Sequence, residues 1–291
     1  MFVLAHVSDP HMASRPRLTE LAGKRGLGFL NWERKRKTIH RPEALDAITR
    51  DLAAGAFDHI AVTGDLVNFS LAEEYTSARK WLETLGTAQN VTVVPGNHDV
   101  YVRAAEQSPA AFWGDYMRGD DGLQRFPFVR RRADAALIAL STAVPTGPFM
   151  ATGRLGRRQL AGLTRALQET RGSFRIVLIH HPPASPLRRY LRRLTDAADL
   201  RRVLAAQGAE LLLHGHDHRR ALVWLDGPGG AKIPAVGVPS ASARAPHGDE
   251  DGAGYNVFRI DGVAGAWRCE MMARARAADG TIGESGRQML F

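Results

Sequence analysis

A chain of 291 residues with 44% hydrophobic side chains can form one large domain or two ordinary ones, and its apolar content excludes disorder as the default. No run approaches the ~18 apolar residues of a membrane span, and the single cysteine, Cys269, excludes an intrachain disulfide and fits a reducing compartment. The net charge of +9 is local: residues 13–41 hold nine basic and two acidic side chains, and "LRRYLRRL", 187–194, adds four arginines, leaving the remainder slightly acidic. Such clustering fits the footprint of an anionic ligand or a membrane surface, with a solvated arginine-rich surface as the alternative.

The opening "MFVLAHVSDPH" has no basic leader and an apolar segment too short for a signal peptide, so it reads as a first strand, and a cytoplasmic protein is expected. Further along, "DHIAVTGD", "VTVVPGNHD", "AALIALST", "FRIVLIHHPP" and "AELLLHGHDH" are aliphatic runs closed by polar residues, the pattern of buried strands. Helical spacing falls between several of them. Pro42–Ala54 places Leu45, Ile48 and Leu52 on one face with a proline in the first turn, and 71–85, 157–167 and 196–206 read similarly. Alternating strands and helices predict an α/β domain with largely parallel strands. After Arg219 come "ALVWLD", "KIPAVGVPS", "YNVFRID" and "AWRCEMM", short strands with turns and no helices, expected as an antiparallel meander completing a second sheet. Residues 1–272 are therefore read as one domain with basic, cap-like insertions at 13–41 and 184–196, and 273–291 as a polar tail.

The strand ends carry the chemistry. The first ends in Asp9 and His11, the second in Asp65, the third in Asn97, His98 and Asp99, a later one in His180 and His181, and the last in His214, His216 and His218. Seven of the eleven histidines lie in these segments, and ligands of open α/β sheets bind at the carboxyl ends of strands. If "HGHDH" stays extended, its three imidazoles share one side of the strand. Two aspartates, an asparagine and several histidines exceed the three protein ligands of a single catalytic zinc and suffice for two cations. Oxygen and imidazole donors without thiolate suit manganese, iron or zinc. Glycines before Asp65, Asn97 and His216 allow sharp turns and close backbone approach. His6 reads as a core or supporting histidine, Asn68 as a turn former, and His40, His59 and His247 as surface groups.

The set D-x-H, G-D-x-x-N, G-N-H-D, H-H-P-P and G-H-x-H, in that order over residues 9–218, resembles the calcineurin-like metallophosphoesterase superfamily. The resemblance implies a four-layer α/β sandwich, two mixed β-sheets flanked by helices, with a dinuclear metal site at the strand C-terminal edge. It implies one metal on Asp9, His11, Asp65 and His218, and a second on Asp65, Asn97, His180 and His216, with Asp65 bridging. It further implies hydrolysis of phosphodiester or pyrophosphate bonds by a metal-bridging hydroxide, with His98 assisting the leaving group. Asp99 is expected to orient the His98 imidazole, and His181 to support the site or face the substrate. His214 is left at the strand end.

The leaving group must be chosen by the insertions. In "LRRYLRRL", Leu187, Tyr190, Leu191 and Leu194 fall at i, i+3, i+4 and i+7, with arginines at the other positions, predicting a basic amphipathic helix. The 13–41 insertion sets "GLGFLNW" beside "ERKRK". Such segments suit a small-molecule or lipid-linked phosphate ester, either with Tyr190, the leucines and Trp32 packed onto the domain as a cap over a soluble nucleotide, or with a UDP-2,3-diacylglucosamine-type nucleotide cleaved in peripheral contact with an anionic membrane. A nuclease is disfavoured by the lack of a separate binding domain or an aromatic stacking platform. The alternative of another class is a non-catalytic, metal-free interaction scaffold, and the sequence leaves the oligomeric state open.

Overall fold

The computed structural model describes residues 1–12, 16–17, 20, 25, 29, 37–101, 108–147 and 149–291. Most of the 13–41 insertion, including Trp32 and its basic run, lies outside the described residues. Among the described residues twelve strands form two six-stranded sheets. The first has the order β12 (Ile282–Met289), β11 (Ala266–Arg276), β10 (Gly254–Val263), β1 (Phe2–Val7), β2 (His59–Val62), β3 (Val91–Val93). The second runs β4 (Phe128–Arg132), β5 (Ala135–Ala139), β6 (Phe174–Leu178), β7 (Leu211–His214), β9 (Lys232–Gly237), β8 (Ala221–Asp226). The strands β1–β2–β3 and β5–β6–β7–β9 are parallel, and antiparallel strands finish each sheet.

The continuous apolar runs follow from burial on both faces. Leu137, Ile176, Leu178, Leu211 and Leu213 join Leu4, Val62, Val93 and Val257 in one core cluster between the sheets. Their sequence neighbours Ile138, Val177, Ile179 and Leu212 point the opposite way, onto Leu163, Leu167, Leu200 and Leu204 of the helices Gly156–Glu169 and Ala197–Gln207. The helices Pro42–Ala54 and Ala72–Leu85 bury Leu45, Ile48, Leu52, Tyr75 and Leu82 in the first core. The predicted layers of helix, sheet, sheet and helix are therefore present.

Three expectations are corrected. The C-terminal strands do not form one meander in the second sheet: β8 and β9 complete it, whereas β10, β11 and β12 extend the first sheet from β1. The polar tail is the end of β11 and all of β12, an edge strand whose residues after Ile282 are all exposed through Met289, so its polar composition marks a solvated strand. The 187–194 segment is a short 3₁₀ helix, Leu187–Arg192, with its faces mixed. Tyr190 and Leu191 are exposed while Arg189 is buried between Asp217 (2.6 Å) and Asp249 (2.7 Å). Two carboxylates offered by neighbouring loops outweigh the helical periodicity.

Strand β4, "FVRRR", escaped prediction because arginine disguises its alternation. Arg130 points inward and is buried, donating to the carbonyls of Ala88, Val91, Asp115 and Arg118. Beside it His59, predicted at the surface, is also buried, its Nε2 2.7 Å from Thr92 Oγ1. Burial, reinforced by the charges of Arg132 and Arg130, pulls the His59 pKa down to about 3. Its folded-state value lies below the unfolded one, so its contribution to stability is intact above pH ~6.5 and is lost as pH falls toward 3. Denaturant titrations at pH 7 and pH 5 should show the His59→Gln protein losing about 2 kcal/mol less than the parent between those values. Equal losses would place the proton uptake elsewhere.

Candidate metal centre

The loops after β1, β2, β3, β6 and β7 converge where the carboxyl ends of both sheets meet. Backbone bonds stitch them: Asp9 N–H donates to Gly64 O (2.9 Å), His11 N–H to Asp65 O (3.1 Å) and Gly215 N–H to His180 O (3.1 Å). Close approach is obligatory at Gly64 (φ +96°), where a Cβ would lie 2.4 Å from Gly96 N, and at Gly215, where it would lie 2.0 Å from Ser8 Oγ. Among the described residues eight non-glycine positions have positive φ, and Asp9, His11, Asp65, His216 and His218 are five of them. A left-handed backbone costs an L-residue roughly 1–2 kcal/mol, so the fold concentrates strain where function needs side chains re-aimed. This corrects the expected alternation: β7 ends at His214, and left-handed turns, not an extended strand, aim His216 and His218.

Two groups of donor atoms result. Around the first, His11 Nε2 lies 3.1 Å from His218 Nε2 and 3.8 Å from both Asp9 Oδ1 and Asp65 Oδ2, and His218 Nε2 lies 3.2 Å from Asp9 Oδ1. Around the second, His180 Nε2 lies 3.1 Å from His216 Nδ1, 3.3 Å from Asn97 Oδ1 and 3.4 Å from Asp65 Oδ2. Adjacent donors about 2.1 Å from one cation stand roughly 3.0–3.4 Å apart. Asp65 Oδ2 belongs to both groups.

The hydrogen bonds behind the rings determine which nitrogen faces inward. His180 Nδ1–H donates to Thr63 O (2.6 Å) and His216 Nε2–H to Arg192 O (2.8 Å), so in the neutral rings two lone pairs face each other across 3.1 Å beside an amide oxygen. That arrangement needs a proton or a cation between the donors. Burial alone would lower the His180 pKa, but the Asp65 charge, with Asp9, outweighs it and raises it to about 9. His218 is likewise raised to about 9 against burial by Asp9 and Glu250, the latter 3.0 Å from its Nδ1. Asp9 Oδ1 is buried and accepts no hydrogen bond. Clustered lone pairs, an unsatisfied carboxylate oxygen and hard donors fit a pair of divalent cations.

His98 is half-buried at the edge of this cluster, its ring 5.1 Å from that of His11 and stacked on Tyr101 at 5.6 Å. Its Nδ1 lies 2.8 Å from the backbone carbonyl of Asn68, whose side-chain amide donates to Met12 O at 2.6 Å and fixes the turn after Asp65. Asp99 does not orient His98. Its carboxylate accepts the N–H groups of Asp65, Leu66, Val67 and Gly96 at 2.8–3.2 Å, fastening the loops that carry Asp65 and Asn97. Burial and the nearby Asp65 charge push its pKa up to about 7, against the pull of those N–H groups. His181 is fully buried, with Nδ1 2.7 Å from Thr142 Oγ1 and Nε2 3.1 Å from Ala151 O, so it supports the rings of His180 and His216 and does not face solvent. His6 is a supporting core residue, bonded to Thr63 Oγ1. Sequence reasoning missed Glu250 and His40, which lie outside every motif; only burial and neighbours distinguish them.

A family model for calcineurin-like phosphoesterases matches residues 2–220. The comparison with curated proteins returned no match. Among solved structures, the purple acid phosphatase of yellow lupin (Lupinus luteus) seeds aligns with a TM-score of 0.57 at 12% identity, over 99% of this chain and 53% of that one, so this chain spans about half its length. The protein described as the anchor in the inner membrane complex of Plasmodium aligns at 0.54 with 13% identity, over 99% and 87% of the two chains. A sulfate thiohydrolase of Thermus thermophilus aligns at 0.51 with 18% identity, over 99% and 55%. At these identities the structural likeness is one of fold. The family match covers the five strand-end motifs and most of the two-sheet framework that brings them together, and on that ground the chain belongs to the calcineurin-like phosphoesterase family.

Proposed function

We propose that the chain hydrolyses phosphodiester or pyrophosphate bonds using two cations drawn from manganese, iron and zinc. Asp9, His11, Asp65 and His218 would hold the first and Asp65, Asn97, His180 and His216 the second. The observation that carries this reading is the sharing of Asp65 Oδ2 between two donor groups, with the half-buried His98 beside them. Such a pair supplies Lewis acidity and activates water at neutral pH. The chain's own part is to hold lone pairs inward through Thr63, Arg192 and Glu250, and to present His98 Nε2 as proton donor to the departing oxygen.

The surroundings favour a phosphorus with a substituent on each side. His98 stands beside His11, while the opposite rim is tied to His181 and His216 through the carbonyls of Ala151 and Arg192. That rim exposes Phe149, Met150, Tyr190 and Leu191 on two segments joined by the bond from Ala151 N–H to Leu191 O (2.9 Å). These residues support an amphiphilic substrate, such as a lipid-linked nucleotide reached from an anionic membrane surface. Among the described residues no helix is long and apolar enough to cross a membrane.

The test is turnover by manganese-loaded protein on bis-p-nitrophenyl phosphate, the corresponding monoester and UDP-2,3-diacylglucosamine, with flotation on anionic vesicles. Diester turnover should exceed monoester turnover. Tyr190→Ser with Leu191→Ser should raise KM for the acylated substrate at least about tenfold and spare the short diester. Equal effects on both would remove the rim from substrate binding. Absence of both bound metal and metal-stimulated turnover would favour the scaffold.

A further inference from the structure

His40 lies at the end of the basic insertion, just before the helix Pro42–Ala54, and nothing in its sequence context marks it. The fold nonetheless buries it (7% exposed) and brings it to the first donor group. Its ring centroid is 4.5 Å from that of His11 and 5.4 Å from that of His218, and one ligand-capable nitrogen from each of the three rings lies within 4.8 Å of the others. Its position is well braced. Arg41 N–H donates to Ser242 O and Arg244 N–H to Ile39 O, both at 2.8 Å, so residues 39–41 run beside 242–244 as a short antiparallel bridge. His40 Nδ1 lies 2.8 Å from Ser242 Oγ, and Ser240 Oγ, within 3.3 Å of Ser242 Oγ, donates to Asp9 O at 2.6 Å. A serine pair thus links this imidazole to the backbone of a proposed ligand, as hydroxyl and carbonyl partners orient ligating histidines elsewhere in the site.

We propose that His40 is a fifth protein donor to the first cation, an inference that rests on the metal-centre reading above. Donors on opposite sides of one cation stand about 4.2 Å apart, so a movement of a few tenths of an ångström per ring brings all three imidazoles into reach. Five protein donors exceed the four of tetrahedral zinc, and the set selects a cation of higher coordination number such as manganese or iron.

The experiment measures binding, not turnover. Metal-stripped parent, His40→Ala, His40→Gln and Asp9→Asn proteins are titrated with manganese and with zinc against a competing chelator, and metal per chain is counted after dialysis. His40→Gln retains a hydrogen-bonding group for Ser242, and melting curves of both variants report whether the fold survives. Both His40 variants should keep tight binding at one site and lose at least about tenfold in manganese affinity at the other, with a smaller loss for zinc. Unchanged manganese affinity in a folded His40 variant would overturn the assignment, even if activity fell. Asp9→Asn separates the two levels: if it too binds both cations like the parent, the metal-centre reading has failed, whereas loss in Asp9→Asn alone refutes only His40.

Discussion

Replacing Asp65 by asparagine should remove both cations and lower kcat by at least about 10³-fold. One carboxylate oxygen, Oδ1, accepts the His98 N–H at 2.8 Å, while Oδ2 faces His11 Nε2 and His180 Nε2. An amide carries no charge to share between two cations. Whichever way it turns, its NH₂ must face either the His98 N–H or one of the donor groups. Burial opposes the Asp65 charge, yet the imidazoles of His180 and His98 and the His98 N–H hold its pKa well below the usual carboxylate range. Removing that charge also removes the main influence that raises the His180 pKa. Elemental analysis after a chelator challenge should find less than one cation per Asp65→Asn chain. A variant that keeps two cations and parental turnover would end the dinuclear reading, because Asp65 Oδ2 is the oxygen assigned to both donor groups.

His98→Asn should behave differently: full metal content, but a kcat reduced about 10²–10⁴-fold on substrates with alkoxide leaving groups. The ring is not in either donor group, its Nδ1 bonds to the Asn68 backbone carbonyl, and Nε2 is the nitrogen proposed to meet the departing oxygen. A p-nitrophenolate leaves without needing a proton, so bis-p-nitrophenyl phosphate should be affected far less than a glycerophosphodiester. That contrast separates proton donation from simple phosphate binding, which would slow both equally. Loss of metal in this variant would instead make His98 part of the scaffold of the centre. Asp99 offers a third pattern. Its carboxylate touches only backbone N–H groups, so its replacement should loosen the Asp65 and Asn97 loops and weaken metal retention without any dependence on the leaving group.

The strands and their ends were legible because burial on both faces leaves a period-free aliphatic run, and because polar residues closing such a run have nowhere to go but a shared edge. The same logic made Asp9, His11, Asp65, Asn97, His180, His216 and His218 readable as a group. It misled at 187–194, where hydrophobic spacing pointed to an amphipathic helix but Asp217 and Asp249 draw Arg189 inside and leave Tyr190 and Leu191 exposed. It also misassigned Asp99, whose partners are four backbone N–H groups on two loops, a relation with no local signature.

What the sequence by itself determined is the inventory: which strands exist, which donors close them, and that hard donors without thiolate call for hard or borderline cations. Which atoms face inward was decided by tertiary structure, through left-handed turns at five donor residues and through carbonyls and carboxylates behind each imidazole. His40 and Glu250 belong wholly to that second level. The physical reason is that side-chain period and composition are properties of neighbours along the chain, whereas a histidine's tautomer and a carboxylate's partner are set by groups far away in sequence, as in the pairing of His11 with His218 across 207 positions.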